Sequence, residues 1–139
     1  MRRGCTIVGL VSVFAIEAAS LGGAPVSTAQ EALHRVRYTV TSETPLYADI
    51  YYRGTDQPNW AAYSHNPYLY SPKIETQIGP HQIWEMEVML ADTDQWAMVA
   101  ATSGFSSLTP NFRCTIEVDY VEVKAAQGSR GALCSLRTW

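Results

Sequence analysis

From Phe112 to Asp119 apolar and polar side chains alternate without a break. Phe112, Cys114, Ile116 and Val118 fall on one side; Arg113, Thr115, Glu117 and Asp119 fall on the other. Successive side chains of a strand point to opposite faces, so a period of two predicts a half-buried β-strand and is incompatible with an amphipathic helix. The same period recurs along the chain. Val36, Tyr38 and Val40 oppose Arg37, Thr39 and Thr41. Leu46 to Arg53 is rich in Tyr and Ile, Lys73 to Ile78 alternates, and Trp84, Met86, Val88 and Leu90 oppose Glu85 and Glu87. Gln95 to Thr102 is apolar on both faces, as a strand covered on both sides requires. Val121, Val123 and Ala125 follow a tight turn, and Ala132 to Trp139 reads as the last strand. Turn clusters lie at 42–45, 54–58, 79–81, 91–94 and 127–131. About seven or eight short strands and no helix predict an all-β fold: a single antiparallel β-sandwich, immunoglobulin-like in the loose sense.

The N-terminus follows another rule. Arg2 and Arg3 precede an apolar run, Cys5 to Ile16, and Glu17 interrupts it before the small-residue stretch AASLGGAPVSTA. This is the pattern of a secretory signal peptide, with cleavage expected before Gln30. An uncleaved anchor is the alternative, but it would have to carry Glu17 through the bilayer. The expected organisation is a signal peptide over 1–29, a frayed lead over 30–35 and one domain over 36–139. The expected location is outside the cytoplasm, secreted or at the cell envelope.

Cleavage would remove two of the ten basic and one of the thirteen acidic side chains, taking the net charge from −3 to −4. With no run of Lys and Arg, a nucleic-acid partner is not expected. Cleavage would also remove Cys5, leaving Cys114 and Cys134. An even pair in an oxidising compartment predicts a disulfide, and both cysteines fall on the more apolar face of their strands. Zinc ligation or a thioredoxin-like centre would call for C-x-x-C spacing, which is absent.

Residues 59–70, NWAAYSHNPYLY, have no clean period, and Pro67 and Pro72 exclude a regular central strand. Two roles fit this aromatic connection. Either Trp60, Tyr63, His65, Tyr68 and Tyr70 form a surface for a ligand or partner, or the segment caps an open edge of the sandwich with its aromatics buried. His34, His65 and His81 have no ligand spacing, and Asp92 and Asp94 lack the Gly and Glu of a calcium loop, so no metal and no cofactor are expected. No nucleophile elbow, P-loop or dinucleotide fingerprint occurs, and catalysis is not expected.

The combination Val36-x-Tyr38-x-Val40, then Ala48-Asp49-Ile50-x-Tyr52, a Trp-led strand, and Cys114-x-Ile116-x-Val118-Asp119 with Cys134 near the end resembles the MmpS family over about residues 36–136. These are small mycobacterial membrane-associated proteins with an extracytoplasmic β-sandwich. The resemblance implies a non-catalytic accessory role beside an RND-type, MmpL-like transporter in lipid or siderophore export, with a lipid as a further ligand. A freely secreted module that holds a lipid, glycan or protein on the aromatic connection is the second reading. Where the family usually turns its hairpin on Asp-Gly or Asn-Gly, this chain has Asp119-Tyr120. Tyr tolerates positive φ poorly, which predicts a different turn geometry or a Tyr120 held in place by packing.

Overall fold

A computed structural model describes residues 32–137. The predicted signal segment, the first two residues of the lead and the last two residues of the chain lie outside this range. Among the described residues eight strands form: β1 (His34–Ser42), β2 (Leu46–Tyr52), β3 (Lys73–Ile78), β4 (Trp84–Leu90), β5 (Met98–Thr102), β6 (Phe112–Val118), β7 (Val121–Gly128) and β8 (Gly131–Ser135). They build two four-stranded sheets. Sheet I has the order β4-β1-β6-β7 and sheet II the order β3-β2-β5-β8. Every pairing is antiparallel. The fold is the expected all-β sandwich.

Alternation sets the core. Val36, Tyr38, Val40, Phe112, Cys114 and Ile116 of sheet I meet Ala48, Ile50, Val99, Ala101, Ala132 and Cys134 of sheet II, all buried. Tyr38 lies there without an orphaned hydroxyl. It donates to the Arg53 carbonyl at 2.8 Å, and burial pushes its phenol well above the usual range. The Cys114–Cys134 bond ties β6, inside sheet I, to β8, at the edge of sheet II. It therefore joins the two layers and does not staple a hairpin. The chain crosses between layers in two residues. At Gly128 a Cβ would lie 1.8 Å from the Gly131 carbonyl oxygen, so only glycine fits.

Three expectations are corrected. The lead was expected to stay frayed to Arg35, but His34 and Arg35 already pair with Leu90 and Met89. The chain was expected to hold no helix, but among the described residues three short ones form: α1 (Trp60–His65), α2 (Pro67–Tyr70) and α3 (Thr93–Trp96). Their caps are local. Asn59 accepts from the Ala62 N–H at 2.8 Å, Pro67 opens α2, and Asp92 accepts from the Gln95 N–H at 3.2 Å. Consequently Gln95 and Trp96, read as the start of a strand, belong to α3, and β5 begins at Met98. The last strand was expected to begin at Ala132 and run to the end of the chain, but β8 starts at Gly131 and stops at Ser135.

At the β6–β7 turn the second of the two expected outcomes holds, a Tyr120 kept in place by a packed neighbour. Asp119 and Tyr120 both adopt positive φ, 49° and 71°, and Val118 pairs with Val121 across them. This is the type I′ geometry that Tyr disfavours. Neighbours on β1 hold it. The Asp119 carboxylate accepts from the Arg35 N–H at 3.1 Å and from His34 Nδ1 at 2.6 Å, and the Asp119 N–H donates to the Arg35 carbonyl at 2.9 Å. These partners hold the Asp119 carboxyl below its usual range, His34 contributing most. The Tyr120 ring stays 75% exposed, with the Arg35 guanidinium 4.2 Å from its centre. A cation on its face, and not burial, is what Tyr120 gains here.

Candidate functional site: an aromatic shelf on sheet II

Sheet II turns Tyr51, Met98 and Ala100 outward, and the register sets Tyr51 beside Ala100 and Ala100 beside Leu133. An apolar strip on an outer face calls for a cover. Helices α1 and α2 supply it. The segment leaves sheet II after Tyr52 and is tied back to the strand it left. The Gly54 N–H donates to the Tyr70 carbonyl at 3.0 Å, and the Tyr52 N–H donates to the Pro72 carbonyl at 3.3 Å.

Arg53 fastens this cover from beneath. Its side chain is only 2% exposed. The guanidinium donates to Ser71 Oγ at 2.7 Å and to the Trp96 carbonyl at 3.3 Å, and lies 4.1 Å from the Tyr63 ring centre. Among the described residues no carboxylate forms an ion pair with it. Neutral acceptors and aromatic faces carry the buried charge in place of a counter-ion. Above Arg53, Trp60 stacks on Trp96 with ring centres 6.0 Å apart and planes 14° from parallel, and Tyr63 closes the cluster 5.2 Å from Trp60. The Arg137 guanidinium covers the far side of Trp60 at 4.4 Å.

The cover is incomplete. An open groove of about 270 Å³ remains between Tyr51, Met98 and Ala100 of the strands and Tyr63, Pro67, Tyr68 and Ser71 of the insert. Its floor is the small Ala100. Its wall includes Tyr68, 72% exposed, and neighbouring Leu69 is also exposed. Polar atoms are few: the hydroxyls of Tyr51, Tyr63, Tyr68 and Ser71. Such a groove can hold an alkyl chain or an apolar side chain of a partner.

Of the five surface candidates, Tyr63 and Tyr68 line the groove. Trp60 stands in the stack behind it. Tyr70 is half-buried and contributes its carbonyl to the tie with Gly54, and His65 is exposed at the end of α1. The segment lies over the outer face of sheet II, not along an edge, and neither α1 nor α2 contains a fully buried residue. Sequence reasoning missed Arg53, Tyr51, Trp96, Met98 and Ala100. The available signal was the apolar second face of Met98 and Ala100, which asked for a cover that the aromatic segment was free to provide. The histidines stay apart: His34 pairs with Asp119, while His65 and His81 are exposed. Among the described residues no group of three His, Cys, Asp or Glu side chains is placed to hold a metal ion.

The model of the Rv2576c beta-sandwich domain matches residues 38–134, which runs from β1 to the second half of the disulfide. The chain belongs to the Rv2576c beta-sandwich domain family. Relatives include the uncharacterized protein Rv2576c of Mycobacterium tuberculosis and the uncharacterized protein Mb2606c of Mycobacterium bovis. Each is 33% identical over 136 residues, covering 96% of this chain and 88% of the relative. No solved structure matches. The family shown is thus the Rv2576c one, and the likeness to MmpS rests on the quoted residues alone.

Proposed function

We propose that the protein is exported and works by contact and not by catalysis, as an envelope accessory in lipid or siderophore export whose aromatic shelf receives an alkyl chain. The groove over Ala100 carries this reading, because it sets apolar walls on a rigid, cross-braced base. The Cys114–Cys134 bond supports export, since such bonds persist in oxidising compartments. Titration with laurate tests the shelf. The wild type is expected to bind laurate saturably, and Ala100→Trp to bind about tenfold more weakly with an unchanged melting temperature. Equal binding by both proteins, or none by the wild type, overturns the shelf.

The MmpS-like residues favour a transporter as the partner. A photo-crosslinker at exposed Leu69, outside the groove, reads this out in a mycobacterial host. An adduct containing an RND-type transporter supports the adaptor role. An adduct series without one removes that role and leaves a secreted binding module.

A further inference from the structure

A second concavity lies on the opposite side of the molecule, at about 490 Å³, within the range of small-molecule sites of roughly 300–1,000 Å³. Its floor is a cross-strand row on the outer face of sheet I: Thr41 beside Arg113, and Arg113 beside Gln127. Pro80 and Ile83 form an apolar ledge at one side, and Glu43, Asn111 and Ser129 form the end wall.

The wall is fixed. Asn111 adopts φ 55°, a left-handed conformation uncommon outside glycine, and two bonds hold it there. Its Nδ2 donates to Glu43 Oε2 at 2.9 Å and its N–H donates to the Ser129 carbonyl at 3.1 Å. Among the described residues the Asn111 side-chain oxygen and the second Glu43 oxygen then have no hydrogen-bond partner. Among the described residues the side chains of Thr41, Gln127 and Ser129 also make no hydrogen bond within the protein. The cleft therefore gathers amides, hydroxyls, one carboxylate and one guanidinium around an apolar ledge.

We propose that this cleft binds a neutral polyhydroxylated ligand of about disaccharide size. Planar amide, carboxylate and guanidinium groups match pairs of adjacent hydroxyls, and the exposed ledge of Pro80 and Ile83 matches the C–H face of a sugar ring. Each charge of the lining already has a partner, Arg113 in Glu122 at 3.7 Å and Glu43 in the Asn111 amide at 2.9 Å, which favours neither an anionic nor a cationic ligand. An alkyl chain would leave the polar groups unpaired. Along the floor β6 is paired with β1 on one side and β7 on the other, so recognition there falls to side chains.

Nuclear magnetic resonance titration of the folded protein with maltose, cellobiose and trehalose tests the proposal. At least one sugar should shift the side-chain amide signals of Asn111 and Gln127 saturably. Gln127→Ala and Ile83→Ser, both at exposed positions, should each weaken that binding roughly fivefold without moving the melting temperature. Absence of a saturable shift with all three sugars overturns the proposal. So do shifts that persist unweakened in both variants, or cleft signals that respond only to laurate or to phosphate.

Discussion

The two sheets share an inner design and differ on their outer faces. Sheet I shows solvent a lattice of charge and threonine. Arg37 lies 3.3 Å from Glu85 and 3.7 Å from Glu117, Arg35 pairs with Glu87, and Thr39 stands beside Thr115. Sheet II carries an Asp49–Lys73 ion pair at its β2–β3 side, but across β2 and β5 it shows Tyr51, Met98 and Ala100, and has two short helices drawn over them. Both faces obey the same period of two, because the period records only that successive side chains alternate. What each outer face carries decides whether the sheet is left bare or covered. A charged face is finished by water and cross-strand partners. An apolar face recruits a segment of chain, and where the cover is incomplete a groove is left.

The largest expected effect breaks the comparison at its base, by parting the layers. Replacing Cys114 and Cys134 with Ala should cost about 3 kcal/mol of stability, because the bond closes a loop of 20 residues. Calorimetry with and without reductant reads this directly. The wild type in reductant should fall to the level of the variant, and a variant as stable as the oxidised wild type would show that packing alone holds the layers.

The second effect separates the faces. Arg53→Leu removes the buried guanidinium, which hydrogen-bonds Ser71 and the Trp96 carbonyl, and should cost about 2 kcal/mol. Backbone chemical shifts should change over 59–72 and in β5 while the outer face of sheet I keeps its spectrum. Changes spread evenly over both sheets would mean that the cover is part of the common core.

The smallest effect belongs to sheet I and follows pH. Hydrogen bonds from His34 and Arg35 hold Asp119 and Glu87 below their ordinary ranges. A carboxyl with a lowered folded pKa adds stability that is fully present above its unfolded value, about 3.9 for Asp and 4.3 for Glu, and is lost as pH falls through the folded value. Protection of the Asp119–Tyr120 turn amides, taken relative to their intrinsic exchange rates, should therefore fall below about pH 4, before that of α1 and α2. Simultaneous loss in turn and insert would erase the distinction between the faces.

The strands were legible because each depends on alternation within its own six or so residues. Lys73–Ile78 and Trp84–Leu90 have the bounds that their patterns predict. The helices were hidden by their length. One turn capped by Asn59 or Asp92 has no room to display a period of 3.6. The shelf was half legible. Tyr63 and Tyr68 stood out as aromatics, whereas Arg53 was only the last residue of an expected strand, and its burial depends on residues that return from 18 and 43 positions further along the chain. The type I′ turn was left open for a related reason. Tyr120 argues against it locally, and the groups that impose it, His34 and Arg35, lie 85 and 84 residues from Asp119.

The bond from Cys114 to Cys134 also decides how the domain bears mechanical load. A pull applied at the C-terminus would ordinarily peel β8 first, since an edge strand is held along one side only. Here the tension passes through sulfur into Cys114, midway along β6 between β1 and β7. To yield from that end, the domain must shear an interior strand past both of its neighbours, and the segment between the two cysteines carries none of the force.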